Sequence, residues 1–337
     1  MKKTLIASAV AAATFSGAAL AQESNLPTVY GNIQYALAYD AIDNGPNSLE
    51  HFDNGTTLGV KHEHVIAPGF TGFFKLELEG INADDKSYED GIDDLDEAYI
   101  GVKGDSFGQL WVGSDDSTYE TAVDYIVNFY EVASLNIGGS YTTGEGDLIQ
   151  YKTPSFGGLT FGGAVQINGD GDDQAGGDKS YPYQLSAMYE MNGLTLAVAM
   201  DSNDGNTGYS SGSADDFDSN ENTYGVRAAY ALDNLLVSAE YQTRKDAYDK
   251  AGVIGVYTLG ANQVSLAYEL RTNDYGDDDK TDTITLQALH NLSDHMYVYF
   301  EGYLGGGDDV YEYEDDQGNE AFSDERSVAS VGAVYYF

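Results

Sequence analysis

The sequence predicts an all-β protein, a transmembrane antiparallel β-barrel of 16 strands with short turns at one end and long loops at the other. Three observations predict this fold. Segments of about ten residues alternate apolar and polar side chains, as strands with one oily and one wet face do. Short and long connectors follow one another along the chain. After the N-terminal leader, no segment is long and apolar enough to form a membrane-spanning helix.

The alternation of apolar and polar side chains runs from residue 28 to the C-terminus. Phe74 and Leu76, for example, alternate with Lys75 and Glu77. A ten-residue strand that rises ~3.3 Å per residue and tilts near 45° spans roughly 23 Å, close to the ~25 Å apolar band of an outer-membrane barrel. A soluble β-sandwich or β-helix would also alternate, but its apolar face would be sealed in a core rather than rich in glycine, alanine and tyrosine. The predicted strands cover residues 28–39, 56–65, 70–80, 95–103, 107–113, 147–153, 158–168, 181–190, 193–200, 223–231, 234–244, 250–259, 262–271, 281–290, 294–303 and 327–337.

The connectors between the predicted strands fall into two classes. The short ones, such as Met191-Asn192-Gly193 and Leu232-Asp233-Asn234, contain the residues that tolerate the positive φ angles of tight hairpin turns. We expect these turns on the periplasmic side and the long loops on the extracellular side, which is the arrangement of outer-membrane barrels. The predicted long loops are 40–55, 81–94, 114–146, 169–180, 201–222, 245–249, 272–280 and 304–326.

The first 21 residues have the three regions of a secretory signal peptide. Lys2 and Lys3 form the positive start, residues 5–15 are apolar, and Ala19-Leu20-Ala21 matches the A-x-A cleavage signature. We therefore expect a signal peptide at residues 1–21 and an exported barrel domain at residues 22–337. The chain contains no cysteine, which excludes disulfides and thiolate metal sites.

The charge of the chain excludes several classes of partner. There are 56 acidic and 15 basic side chains, a formal net charge of −41. Nucleic-acid binding needs a basic surface for the phosphates, and this surface would repel them. The eight predicted long loops hold 41 of the 56 acidic residues, so the sequence predicts an acidic rim at the extracellular mouth. Such a rim would concentrate cations and attract Ca²⁺ or Mg²⁺ weakly at the surface.

The third long connector, residues 114–146, differs in kind from the others. Ser117 and Glu120 are spaced as in a helix-capping box, and the apolar residues that follow have helical spacing. A barrel of this size leaves a wide aqueous lumen unless something folds into it. We therefore expect this loop to fold inward, with a helix that caps the outside or contacts another subunit as the alternatives. The apolar residues are Ala122, Val123, Ile126, Phe129, Tyr130 and Val132.

The chain resembles the general diffusion porins of Gram-negative bacteria, which are trimeric 16-stranded channels. The resemblance rests on the leader end Ala19-Leu20-Ala21, the opening strand 28–33, the long third connector and the closing strand 331–337 with its terminal phenylalanine. It implies residence in the outer membrane among lipid and lipopolysaccharide, and a homotrimer. It also implies that Tyr335 and Phe337 form the C-terminal signal that the barrel-assembly machinery reads.

The resemblance also implies a constriction with a transverse electric field. In the family, acidic groups of the third loop face basic groups on the opposite wall, and the field between them favours small hydrated solutes. The chain lacks the Pro-Glu-Phe-Gly-Gly run of the enterobacterial loop and has lysines in place of wall arginines. The candidate residues are Asp115, Asp116, Glu120 and Asp124 on the loop, and Lys61, Lys75 and Lys103 on the wall.

Motifs for catalysis and metal binding are weak in this sequence. Residues 208–212 match G-x-S-x-G, but without the strand-to-helix context that a nucleophile needs. His62 and His64 share a strand face without a third metal ligand at a recognisable spacing. Residues 168–173 lack the glycine and the glutamate of a calcium loop. We therefore expect no enzymatic activity and no cofactor beyond weak surface Ca²⁺ or Mg²⁺.

The expected function is passive diffusion of ions and small hydrophilic solutes, with a preference for cations. An adhesin or structural barrel with acidic loops is the main alternative, because long loops contact hosts whether or not a pore conducts. An outer-membrane hydrolase would need a catalytic histidine pairing that the sequence does not suggest. A sugar-specific 18-stranded channel would need a longer chain and an aromatic track along the lumen.

Overall fold

The computed structural model describes residues 26–80, 94–141, 143, 145–167, 181–204, 221–274, 279–315 and 317–337. The predicted signal peptide and residues 168–173 and 208–212 lie outside these ranges. Within them, no helix is long and apolar enough to cross a membrane.

The described chain consists of strands and two short helices. The strands are β1 (Thr28–Ile42), β2 (Asn47–Asp53), β3 (Thr57–Ala67), β4 (Phe70–Glu79), β5 (Asp94–Gly104), β6 (Gly108–Ser114), β7 (Leu148–Lys152), β8 (Leu159–Gln166), β9 (Tyr183–Met191), β10 (Leu194–Asp201), β11 (Thr223–Leu232), β12 (Leu235–Arg244), β13 (Tyr248–Leu259), β14 (Asn262–Asn273), β15 (Lys280–Ser293), β16 (Met296–Glu314) and β17 (Glu320–Tyr336). The helices are α1 (Thr118–Val123) and α2 (Tyr125–Phe129), both between β6 and β7.

The strands form one closed antiparallel sheet. Each strand from β3 to β17 pairs with its neighbour in sequence, and β1 closes the ring by pairing with β17. β2 and β3 pair with successive parts of β1, β3 with residues 28–32 and β2 with residues 35–41, and residues 54–56 connect the two strands. The 17 strand segments therefore occupy 16 positions around the barrel, and the predicted 16-stranded fold is confirmed.

The two faces of the wall differ in the way that the alternation predicts. On β14, Val264, Leu266 and Tyr268 are exposed on one face, while Ser265 and Glu269 are buried on the other. An apolar exposed face suits contact with lipid, and closure of the ring leaves no unpaired strand edge. The polar face therefore lines the inside of the barrel.

The connectors depart from the prediction at three places. The predicted loop 40–55 contains β2, because residues 47–53 continue the ladder with β1. The predicted loop 304–326 is mostly extended, because β16 and β17 remain paired out to Glu314 and Glu320. Only residues 245–247 separate β12 from β13. Alternation in these polar segments is weak, so their pairing is not visible in the sequence.

The predicted tight turns agree with the backbone angles. Asn192 and Gly193 both have positive φ, 51° and 81°. Asp233 has a φ of 46°. These values explain why Asn, Asp and Gly occupy the short connectors.

Candidate functional site

The third connector begins with a capped helix. The Ser117 side chain accepts a hydrogen bond from the backbone N–H of Glu120 at 3.3 Å, so the predicted cap of α1 is present. The helix stops at Asp124, whose backbone angles are not helical, and α2 continues from Tyr125. The single predicted helix is therefore two short ones, with Asp124 at the bend.

Both helices pack against the inward face of the barrel. Ile126, Phe129 and Tyr130 form a buried apolar cluster with Ile254 and with further residues of β13 and β14. Tyr119, Ala122 and Val123 form a second cluster with two alanines of β10. The inward face is apolar at these strands, which explains why the helices lie there.

Two glycines of the wall make room for the helices. A Cβ atom at Gly252 on β13 would lie 2.6 Å from Cδ1 of Ile126. A Cβ atom at Gly225 on β11 would lie 2.6 Å from the Tyr119 hydroxyl and 2.7 Å from Val123 Cγ2. Since real Cβ contacts are not this short, each glycine forms a notch that the connector fills.

Two wall carboxylates bind backbone N–H groups of the connector. Oε2 of Glu240 on β12 accepts from Tyr125 at 3.0 Å and from Ile126 at 3.2 Å, at the start of α2. Glu301 on β16 accepts from Glu131 at 2.6 Å and from Val132 at 2.9 Å. Charged acceptors make stronger hydrogen bonds than neutral ones, so both ends of α2 are fixed to the wall.

A buried lysine lies between the connector and the wall. Nζ of Lys250 on β13 is 2.9 Å from Oδ1 of Asp124 and 2.9 Å from Oε1 of Glu240. Glu269 on β14 is 3.6 Å away. The side chains of Lys250, Glu240 and Glu269 have no exposed surface, and that of Asp124 is 3% exposed. Asp124 also accepts from Gln242 Nε2 at 3.0 Å.

The other three acidic residues predicted for the constriction form a group near the start of the connector. The pKa of Asp115 is raised to about 6, mainly because the carboxyl group is buried and secondly because of the negative charge of Glu97 nearby. Burial and the carboxylates of Glu97 and Asp115 raise the pKa of Asp116 to about 8. Glu120 accepts a hydrogen bond from the Tyr141 hydroxyl at 2.7 Å. Three of the four predicted acidic residues therefore lie together, while Asp124 points into the wall at Lys250.

The predicted basic wall is largely neutralised by its own strands. Lys75 forms ion pairs with Glu97 and, at 3.3 Å, with Glu77. Lys103 pairs with Glu63 at 2.6 Å on an exposed part of the wall. Lys61 has its Nζ 4.7 Å from the centre of the Tyr30 ring. The assignment of these lysines to a constriction stays a prediction.

Sequence reasoning missed the cations of the opposite wall. Arg227, Arg244, Lys250 and Arg271 have the inward parity of β11 to β14. Arg227 donates from Nε to the carbonyl of Ala122 at 3.0 Å, at the end of α1. A signal was present in the sequence, because residues 252–256 of β13 are apolar on both faces. A wall strand has an apolar inward face only where something covers it.

The remaining predicted residues lie on the outer face or at the seam of the barrel. Tyr335 and Phe337 are exposed, and Phe337 exchanges two backbone hydrogen bonds with Gly31 of β1. His62 and His64 stack with ring centres 5.5 Å apart. Among the described residues, no group of three or more His, Cys, Asp or Glu side chains is arranged to hold a metal ion.

The sequence is similar to those of bacterial porins. A family model described as "Gram-negative porin" matches residues 7–309. A protein of a Halomonas species named "Monosaccharide porin" is 28% identical, with 95% of this chain and 97% of the relative covered.

Solved structures share the fold at low sequence identity. An anion-selective porin from Comamonas acidovorans superposes with a TM-score of 0.71 at 18% identity, covering 93% of this chain and 99% of that one. A trimer form of OmpT from Vibrio cholerae superposes with a TM-score of 0.63 at 15% identity, covering 93% and 99%.

Proposed function

Because the chain belongs to the Gram-negative porin family and forms a diffusion channel of the outer membrane, not an enzyme, we propose that it prefers cations and passes small hydrophilic solutes without a dedicated binding site. The solutes cross down their gradients, and uncharged monosaccharides are among them. The third connector, with α1 and α2, narrows the lumen.

One observation carries the cation preference: the excess of carboxylates among the buried side chains of the wall and the third connector. Among the described residues, ten buried side chains are carboxylates and two are cations. Partial neutralisation by Lys75 and Lys250 leaves an excess of negative charge, and a negative lumen draws cations and repels anions. The carboxylates are Glu77, Asp96, Glu97, Glu120, Asp124, Glu131, Asp201, Glu240, Glu269 and Glu301, and the cations are Arg244 and Lys250.

The charge arrangement also supports a change in the expected field. The predicted field has acidic groups on the connector and basic groups on the wall of β3 to β5. Lys75 and Lys103 are paired with carboxylates of those same strands. We therefore propose an acidic passage with local pairs, in which selection by charge sign is stronger than orientation of dipoles.

Assembly and surface partners are part of the proposal. We propose a homotrimer in contact with lipopolysaccharide, inserted by the barrel-assembly machinery through the closing strand. The acidic rim of the long loops would bind Ca²⁺ or Mg²⁺ weakly. On an unheated gel, a folded trimer migrates anomalously and shifts on boiling, and monomeric migration before boiling would contradict the trimer.

Solute passage is tested by swelling of liposomes that contain the purified protein. The probes are a monosaccharide, a small organic cation and an organic anion of similar size. We expect the rate for the cation to exceed that for the anion, with the uncharged sugar between them. Swelling no faster than in empty liposomes would overturn the channel, and a faster rate for the anion would overturn the charge preference.

A further inference from the structure

We propose that Lys250 is the positioning residue that keeps the third connector docked on the wall and thereby sets the open aperture of the channel. The inference rests on the proposed function, since it assumes that the connector narrows the lumen. The geometry that points to it is the cluster of Lys250 with Asp124, Glu240 and Glu269, which we call the docking cluster.

The docking cluster joins the connector to three wall strands at one point. Asp124 comes from the bend between α1 and α2, Glu240 from β12, Lys250 from β13 and Glu269 from β14. Lys250 is the one cation of the described chain whose Nζ lies within ion-pair distance of Asp124, Glu240 or Glu269. Three buried carboxylates therefore share a single ammonium group as their ion-pair partner.

The same carboxylates make further contacts that hold the connector. Glu240 binds the two N–H groups at the start of α2. Glu269 accepts from Asn136 Nδ2 at 2.5 Å, beyond the end of α2. Asp124 accepts from the backbone N–H of Gly139 at 2.8 Å, which joins the two halves of the connector. Lys250 thus balances the charge of the residues that bind the connector in place.

The seat for the connector lies on the same strand as the lysine. Gly252 is two residues from Lys250 on the inward face of β13, and Ile126 fills the notch that this glycine leaves. Gly252 stands opposite Glu240 on one side and Glu269 on the other. The apolar notch fixes where α2 lies, and the lysine offsets the repulsion between the carboxylates around it.

Removing the positive charge of Lys250 should shift the connector toward its undocked state more than removing a neutral contact would. Removing one partner of a buried ion pair leaves uncompensated charge, and the carboxylates regain solvation if the connector lifts into the aqueous lumen. The ratio of undocked to docked connector should rise on the order of 100-fold. A connector that lifts from the wall occludes the lumen, so the open current should fluctuate.

The test is single-channel recording of Lys250→Met beside wild type, with Lys245→Met as the matched control. Lys245 is exposed and pairs with Glu221 and Asp246, away from the docking cluster. We expect brief partial closures to become at least about tenfold more frequent in Lys250→Met and unchanged in Lys245→Met. Equal closure frequency in Lys250→Met and wild type would overturn the inference.

A second pair of variants separates positioning from a general structural role. Asp124→Asn keeps Lys250 balanced by Glu240 and Glu269 but removes the charged link to the connector, so closures should increase while heat-shifted gel migration stays normal. In the Asp124→Asn background, Lys250→Met should add less than it does in wild type. The inference would be overturned if the two substitutions raised the closure frequency additively, or if Asp124→Asn closed no more often than wild type. If Lys250→Met does not assemble, the recordings of Asp124→Asn alone decide.

The same recordings distinguish this inference from the proposed function. A wild-type protein without conductance steps would overturn the channel itself. A conducting wild type whose Lys250→Met and Asp124→Asn variants show no added closures would overturn only the role of Lys250.

Discussion

At the scale of single residues, the surroundings of Asp115 and Asp116 determine the pH at which these two side chains are charged. Their pKa values are raised to about 6 and about 8, first by burial and then by neighbouring carboxylates, with Glu97 the largest of these. A raised carboxyl pKa means that the proton is bound at a higher pH than usual. The fixed charge of the passage therefore changes within a moderate range of pH.

The first prediction concerns this pH dependence. As the pH falls through about 8 and then about 6, Asp116 and then Asp115 become neutral, so the preference for cations should weaken. The measurement is the cation-to-anion permeability ratio between pH 9 and pH 5. The double variant Asp115→Asn and Asp116→Asn should have a lower ratio at pH 9 and a flatter profile. An equally steep profile in that variant would contradict the assignment.

The second prediction concerns the notch at Gly252. Gly252→Val places side-chain atoms where Ile126 now lies. This overpacking should lower the free energy of unfolding by about 1–3 kcal/mol. The temperature at which folded gel migration is lost should fall. Gly255→Val on the same strand is the control, because a Cβ atom there meets no atom within 4 Å. Equal temperatures for the two variants would argue against a docked α2.

At the scale of elements, the sequence predicted the strands well because alternation is a local property. The sixteen wall positions and the cap at Ser117 follow from patterns of a few residues. The pairing of β2 with β1 did not, since five of the seven residues 47–53 are polar and the first five are exposed on both faces. The role of Lys250 was also hidden, because its partners come from residues 10 and 126 positions away in sequence.

The closing strand carries the third prediction. Phe337 exchanges backbone hydrogen bonds with Gly31 and completes the seam between β17 and β1. Removing Phe337 should reduce the amount of folded protein in the outer membrane several-fold, because the assembly signal and the last pair of the seam are both lost. Phe337→Tyr keeps the aromatic ring and the backbone and should assemble normally. The readout is the heat-shifted fraction in membrane extracts, and equal fractions would contradict the proposed signal.

At the scale of the whole molecule, negative charge follows the path of a solute. The long loops hold most of the 56 acidic residues, and six of the ten buried carboxylates among the described residues lie outside these loops, on the strands of the wall. The sequence placed the acidity at the mouth, whereas the structure extends it into the lumen. Surface charge is screened within about 8 Å at physiological salt, so the buried carboxylates should dominate selectivity at high ionic strength.

The reversal potential of single channels in a tenfold KCl gradient tests the cation-selective channel most directly. The protein should show conductance steps, and the current should reverse at a potential of the sign set by K⁺ moving toward the dilute side. This sign should persist at high salt, where only charges inside the lumen remain unscreened. Steps that reverse at the potential of the opposite sign, or the absence of steps, would contradict it.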